Sequence, residues 1–246
     1  LNNVENSRYA LTQGLTNYNA INAFANYDFS IGKHDISIMG SYNQEESHKE
    51  SQWSQRTDVL LENLPSLSGS TGTASVTDSF DEYAIRGLFY RVNYTYDGKY
   101  MFEANGRYDG TSRFPKDSRF GFFPSFSAGW RISEEAFMKN TKSFLSNLKL
   151  RASWGSIGNQ IILKPDNTPE NYPYIPSMSP YLTEWLVDGQ KTTTLNAPAM
   201  VSSSFSWEKV YTLDFGVDFG FFDNRFNGTF DWYRRDTKGM LAPGMD

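Results

Sequence analysis

The stretch Trp207-Glu208-Lys209-Val210-Tyr211-Thr212-Leu213-Asp214-Phe215-Gly216-Val217-Asp218-Phe219-Gly220-Phe221 alternates without a break. Trp207, Lys209, Tyr211, Leu213, Phe215, Val217, Phe219 and Phe221 share one face. Glu208, Val210, Thr212, Asp214, Gly216, Asp218 and Gly220 share the other. A period of two places successive side chains on opposite sides of an extended chain, so this is a strand with one apolar and one polar side. Asp223-Asn224 then turns the chain. Phe226, Gly228, Phe230 and Trp232 come back opposite Asn227, Thr229, Asp231 and Tyr233.

Working outward, the same device recurs. Segments 17–29 and 35–43 flank a tight turn at Gly32. In 83–96, Ala84, Leu88, Tyr90, Val92, Tyr94 and Tyr96 form a face that is apolar except for Arg86. Asp97-Gly98 is the strongest two-residue hairpin signal. Segment 100–108 returns with Tyr100, Phe102, Ala104, Gly106 and Tyr108 on one face and Met101, Glu103, Asn105 and Arg107 on the other. Segments 122–132 and 148–155 follow. Pro124 is excluded from a paired strand interior, so it is expected at the strand's outer end or at a bulge. The count is about eight strands, each of roughly 8–15 residues. Soluble strands are usually about 5–6 residues, whereas a tilted strand needs about 9–11 to cross a bilayer.

Connections supply a second criterion. Gly32, Asp97-Gly98 and Asp223-Asn224 are tight turns, and 133–147 is expected to hold one short helix capped by Ser133, with Glu134 and Glu135 at its positive end. The segments 44–81, 109–120 and 156–205 are expected to be long loops. Alternation of short turns and long loops is the habit of outer-membrane barrels, with the turns on the periplasmic side. Trp154, Trp207 and Trp232 then fall near the external ends of their strands and Trp130 near the periplasmic end, as aromatic girdles require.

The totals agree. Aromatic residues are 16% of 246 and charged residues 21%, and no apolar run approaches the ~18 residues of a spanning helix. A barrel strand needs only one apolar face. A net charge of −5 argues against nucleic acid, which wants a basic stripe. Without cysteine there is no disulfide framework or thiolate metal site. Leu1-Asn2-Asn3-Val4 has no signal-peptide character, so for an exported protein residue 1 is not the native start. His34 and His48 have no paired spacing for zinc. Asp109-Gly110-Thr111-Ser112 with Asp117 offers a calcium loop but lacks the acidic ladder of an EF-hand, so no cofactor is expected. No phosphate loop or nucleophile elbow is present, and no enzyme activity is expected.

Two sets of residues are candidates for function. Arg91, Glu103, Arg107, Arg131, Asp214 and Asp218 lie on the polar faces and would line a lumen, either meeting solute or forming wall salt bridges. The segment 156–205 carries Pro165, Pro169, Pro173, Pro176, Pro180 and Pro198 together with Tyr172, Tyr174, Tyr181 and Trp185. Stiff, aromatic loops of this length suit ligand or partner binding, or simply pack on their neighbours.

Arg107-Tyr108-Asp109-Gly110-Thr111-Ser112-Arg113-Phe114 resembles the R-x-D-G-S-S-R-F stretch of SusC/RagA-type TonB-dependent transporters. Gly121-Phe122-Phe123-Pro124-Ser125, Gly129-Trp130-Arg131-Ile132-Ser133-Glu134-Glu135-Ala136-Phe137, Leu148-Lys149-Leu150-Arg151-Ala152-Ser153-Trp154-Gly155, Gly158-Asn159-Gln160 and Asp231-Trp232-Tyr233-Arg234-Arg235-Asp236-Thr237 continue it in order. Thr111 stands where Ser is usual and Trp154 where Tyr is common. The first 80 residues carry strand pattern only.

The resemblance implies an all-β fold, part of an antiparallel transmembrane barrel of about 22 strands. At roughly 30 residues per strand such a barrel needs about 660 residues, so this chain is expected to be a piece of it, without the plug or the TonB-contacting segment. It also implies an outer-membrane importer in a Bacteroidetes-type bacterium, taking up a glycan or peptide with a SusD-like surface lipoprotein and the TonB complex, against outer-membrane lipid. A lidless receptor for iron chelates and a soluble carbohydrate-binding β-protein are the alternatives.

Overall fold

The computed structural model describes residues 7–164, 166–198, 201 and 205–240. Pro165 therefore lies outside the described residues. The strands are β1 (Arg8–Ile31), β2 (His34–Thr57), β3 (Ala74–Tyr96), β4 (Tyr100–Thr111), β5 (Phe120–Arg131), β6 (Leu145–Asn159), β7 (Pro180–Val187), β8 (Gln190–Leu195), β9 (Glu208–Phe221) and β10 (Phe226–Lys238). One eight-stranded sheet runs β1-β2-β3-β4-β5-β6-β9-β10, and β7 pairs with β8 in a separate two-stranded sheet. The eight expected long strands are thus all present as sequential neighbours. The antiparallel ladders are continuous, for example Tyr96↔Tyr100 through Ile85↔Thr111 between β3 and β4.

Two units are distinguished by their internal contacts. The first comprises residues 1–20 and 45–84. It holds one part of each of β1, β2 and β3 and the connection 58–73. That connection is tied down by Leu60 N–H to Gly69 O (3.0 Å), Thr71 N–H to Asp58 O (3.0 Å) and the buried Ser70 hydroxyl to Ser66 O (2.8 Å). The expectation of a loop over 44–81 is corrected here: β2 persists to Thr57 and β3 begins at Ala74. Residues 44–57 are polar on both faces, so they show no hydrophobic period although ladder hydrogen bonds hold them extended.

The second unit comprises residues 21–44 and 85–246. Its turns are as expected: Gly32, and Asp97 (φ 51°) with Gly98 (φ 65°), both left-handed as a type I′ hairpin demands. Phe222, Asp223 and Asn224 also have positive φ. Pro124 is neither at the strand's end nor at a bulge: it lies inside β5, opposite Gly106 of β4, and is accommodated because it sits one residue beyond the last β5–β6 pair, Ser125↔Gly155, so its missing N–H interrupts no ladder on that side. The Ser156 hydroxyl donates to its carbonyl (3.4 Å).

The segment 133–147 is not one capped helix. It folds as two 3₁₀ turns, Ile132–Glu134 and Ala136–Thr141, without side-chain caps. Ser133 is buried, with its hydroxyl unpartnered among the described residues. Glu135 is engaged elsewhere, as described below. This connection is longer than 112–119 at the opposite end, so length alone does not sort the two ends of the sheet there.

The second unit's packing is inverted relative to a soluble protein. Leu88, Tyr90, Phe102, Tyr108, Phe122, Phe126, Leu150, Phe215, Phe230 and Trp232 are exposed, while Phe114, Phe123 and Trp207 are the only buried apolar side chains among the described residues. The exposed face is organised rather than accidental. Tyr100 stacks on Trp130 (6.3 Å, 14°), Phe126 on Trp154 (6.2 Å, 12°) and Phe215 on Trp232 (6.1 Å), each a directly opposed cross-strand pair. The Tyr90 ring lies over Gly106, where any Cβ would meet it. Such a face finds its solvent in lipid, and a strand with apolar outside and polar inside is a barrel strand.

Candidate functional site

The polar face carries the charges, and they pair with one another. Arg91 Nε donates to Asn105 Oδ1 (2.8 Å) and lies 4.0 Å from Glu103 Oε2. Asn105 Nδ2 donates to Glu103 Oε1 (2.6 Å) and to Ser125 Oγ (3.3 Å). Arg107 Nε and Nη2 grip both oxygens of Asp109 at 3.0 Å, a bidentate pair that turns the calcium candidate Asp109 into an arginine partner.

Arg151, which the pattern placed on this face without a role, is the hub of the strongest cluster. It donates from Nε and Nη2 to Asp218 (2.9 and 3.0 Å) and from Nη2 to Asp231 (2.9 Å), and Thr229 donates to Asp218 (3.1 Å). The reach from β6 to β10 passes over β9 at Gly216, the register partner of both Arg151 and Asp231. A Cβ there would meet Asp231 Oδ1 and would stand 2.7 Å from the Arg151 guanidinium. Asp214 borders a hollow shared with Lys149 and Arg151. Arg131 is exposed and makes no ion pair among the described residues. The six expected polar residues therefore split: Arg91 with Glu103, Arg107 and Asp218 in wall pairs, Asp214 in the hollow and Arg131 apart.

The family-like motif builds a core at the end of the sheet opposite the tight turns. Phe114 is fully buried and meets the Trp207 ring edge-on (5.4 Å, 68°), and Phe123 does the same from β5 (5.0 Å, 63°). Trp207 Nε1 donates to Arg119 O (3.2 Å), and Ser118 Oγ donates to Phe205 O (2.6 Å). Buried Arg113 donates to Asn171 Oδ1 (2.6 Å), and Tyr174 donates to Ser112 O (3.2 Å). Trp207 is therefore not a girdle residue. It precedes β9 and is 7% exposed, because the connection 112–119 and the chain entering β9 must bury something to hold each other. Trp154 and Trp232 do lie exposed on the apolar face.

The long segment is also more structured than expected. It contains the β7–β8 hairpin, turned at Asp188-Gly189 with φ 51° and 78°. Thr183, buried in it, donates to Trp185 O (2.8 Å) and accepts from Thr192 N–H (3.1 Å), holding a bulge between Leu182 and Leu186. Of the aromatic candidates, Tyr174 braces the loop core. Tyr181 and Trp185 (61% exposed) stand on the hairpin, and Tyr172 is partly buried at the start of that segment.

At the turn end, Asp97 binds Lys33 (2.9 Å) and Lys99 (3.3 Å), and Lys99 reaches Glu135 (3.5 Å). Glu135 also accepts from Tyr100 (2.5 Å) and Trp130 Nε1 (3.1 Å). The hydrogen bond from Lys33, then that from Lys99, holds the Asp97 carboxyl below its usual range. Glu135 is lowered chiefly by the Tyr100 hydroxyl, then by the Trp130 indole.

A family model described as TonB dependent receptor-like, beta-barrel matches residues 2–246. The chain belongs to that family. TonB-dependent receptor SusC of Bacteroides thetaiotaomicron is 31% identical over 243 residues, spanning 96% of this chain and 23% of that protein. TonB-dependent receptor P3 of Formosa agariphila is 29% identical over 229 residues, spanning 89% of this chain and 21% of that protein. The chain thus spans less than a quarter of these relatives. The RagAB peptide importer in its open-open state superposes with a TM-score of 0.78 at 24% identity, over 96% of this chain and 24% of that one. That likeness shows the fold, an open piece of a large transmembrane barrel, as the family resemblance implied.

Proposed function

We propose that this chain forms part of the wall of an outer-membrane importer for a large nutrient, a peptide or an oligosaccharide, in a Bacteroidetes-type bacterium. The observation that carries the reading is the inverted face: exposed stacked aromatics on one side and paired charges, amides and hydroxyls on the other. Such a wall conducts polar solute past lipid. The relatives named above, one called SusC and one a peptide importer, support the nutrient class. The reading includes a SusD-like surface lipoprotein over the loop end, TonB as the energy source, and no covalent chemistry by the wall. Arg91, Glu103, Arg107, Asp214 and Asp218 face the lumen in it, and because most are paired on the wall they present a nearly neutral, hydrogen-bonding surface to the solute. Tyr181 and Trp185 on the hairpin face outward to solute or lipoprotein.

The test is purification of the full-length protein from membranes in mild detergent, with copurifying proteins identified by mass spectrometry. A stoichiometric surface lipoprotein supports the importer. Recovery from the outer membrane without one would favour a lidless receptor, and recovery in the soluble fraction would overturn the membrane assignment.

A further inference from the structure

Between residues 85 and 96, one charge breaks the apolar face of β3. Arg86 lies on β3 in the same outward set as Leu88 and Tyr90, and it is exposed. Its register partner on β4 is Gly110, whose own partner on β5 is Phe120. The absent side chain at Gly110 leaves room for the Phe120 ring, which a Cβ there would strike. Arg86 reaches over that gap onto the ring, with Cζ 5.1 Å from its centroid. Tyr108 also stacks on Phe120, 5.3 Å away and nearly parallel (9°). Tyr42, Gly87 and Leu88 complete an outward-opening hollow of about 300 Å³. No carboxylate among the described residues makes an ion pair with Arg86.

Depth decides what such an arginine meets. From Tyr96, beside the Asp97 turn, to Arg86 the strand advances about 33 Å at ~3.3 Å per residue. With a tilt of ~40° that is about 25 Å along the membrane normal, the height of the apolar band. An arginine at the midplane would cost about 2–4 kcal/mol, and near an interface about 0–1. Arg86 therefore stands where the apolar band ends and headgroups begin. A second cation follows the same plan, with Lys238 Nζ 5.5 Å from the centroid of Tyr211, itself stacked on Trp154.

We propose that the Arg86 hollow is a binding site for the phosphate of an outer-leaflet lipid headgroup. The guanidinium stands over the Phe120 ring with no carboxylate partner among the described residues, so its N–H fork is available for bidentate contact with phosphate oxygens. The apolar floor of Leu88, Tyr108 and Phe120 takes the first part of the acyl chains. The occupant is a lipid rather than a protein because the hollow opens on the face that lipid covers. The placement in the outer leaflet rests on the orientation in the proposed function, with the tight turns at the periplasmic side.

The experiment uses the full-length protein and its Arg86→Gln variant, purified in non-ionic detergent and checked for heat-modifiable gel migration. Monophosphorylated lipid A and its dephosphorylated form are titrated in, and bound lipid is counted by native mass spectrometry. The wild type is expected to prefer the phosphorylated form by about five-fold, the effect of one well-placed basic residue at a membrane surface. Arg86→Gln is expected to lose that preference, and Arg86→Lys to keep only part of it for want of the fork. Phe120→Leu keeps the charge but removes the platform, and it is expected to weaken binding while the barrel remains folded. Equal binding of both lipid forms by wild type, or an unchanged preference in Arg86→Gln, overturns the proposal. Displacement of the lipid by inorganic phosphate alone assigns the site to the free ion and overturns the lipid source. Failure to find the protein in the outer membrane at all would instead refute the importer reading.

Discussion

Truncating Phe114 should unfasten one end of the sheet and leave the rest intact. The side chain is fully buried and edge-on to Trp207, in a small core it shares with Phe123 and the partly buried Ile162 and Phe205. Removing a buried phenyl group costs about 3–5 kcal/mol, and the aromatic pairing contributes about 0.5–1.5 kcal/mol of such a loss. At 1.4 kcal/mol per decade, a loss of 3 kcal/mol multiplies the open population of the loop by about a hundred-fold or more. The effect should be local, because β9 and β10 are held by ladder hydrogen bonds that do not depend on this core. Hydrogen exchange followed by mass spectrometry on the full-length protein in detergent reads this directly. In Phe114→Ala, peptides covering 112–119 and 205–207 should exchange about a hundred-fold faster, while those from 209–220 should be unchanged. Phe114→Leu, which keeps most of the volume, should cost less than about 1.5 kcal/mol and show little. Unchanged loop protection in a folded Phe114→Ala protein, or loss of protection across the whole sheet, would refute the local core.

Gly216→Ala should separate Arg151 from Asp231 by placing a methyl group between them, at a cost of about 1–2 kcal/mol in unfolding free energy, read from denaturant titration, given the partial exposure of both groups; in a double-mutant cycle with Asp231→Asn the two effects should be less than additive, and full additivity would deny the bridge. Acid should loosen the turn-end network: Asp97 and Glu135 both have lowered pKa values when folded, so their contribution is complete above the ordinary carboxylate range and is lost as pH falls through the lower folded values. The Trp130 indole N–H signal in an NMR titration should therefore move only below the ordinary glutamate range and stay flat in Glu135→Gln, whereas a midpoint at or above the usual glutamate value would contradict the arrangement.

The strands were legible because period two is local information. Leu213, Phe215 and Val217 need no knowledge of the rest of the chain to declare a face, and Asp97-Gly98 needs only its own backbone preference to declare a turn. The Asp188-Gly189 hairpin carried the same turn signal and was equally available, but proline-rich surroundings hid it within a segment read as loop. The strand portions at 44–57 and 74–81 were not legible, since residues such as Glu45, Glu46, His48 and Lys49 offer no apolar period for a local pattern to detect.

The candidate site divides in the same way. Alternation alone put Arg91, Glu103, Arg107 and Asp218 on one face of their strands, but which charge each would meet depended on register. Arg151 joins residues 67 and 80 positions away, and only Gly216 in the intervening strand allows the second contact. The Trp207 position followed a local period that begins one residue before β9, and its true surroundings come from Phe114, Arg119 and Phe123, far off in the chain. Sequence by itself therefore determined the existence of the eight long strands, the tight turns between them and which face meets lipid, because steric alternation and turn chemistry act between near neighbours. Only the tertiary structure decided the ion-pair partners, the loop core and the outward hollow at Arg86, because each is an encounter between strands whose relative register no local pattern encodes.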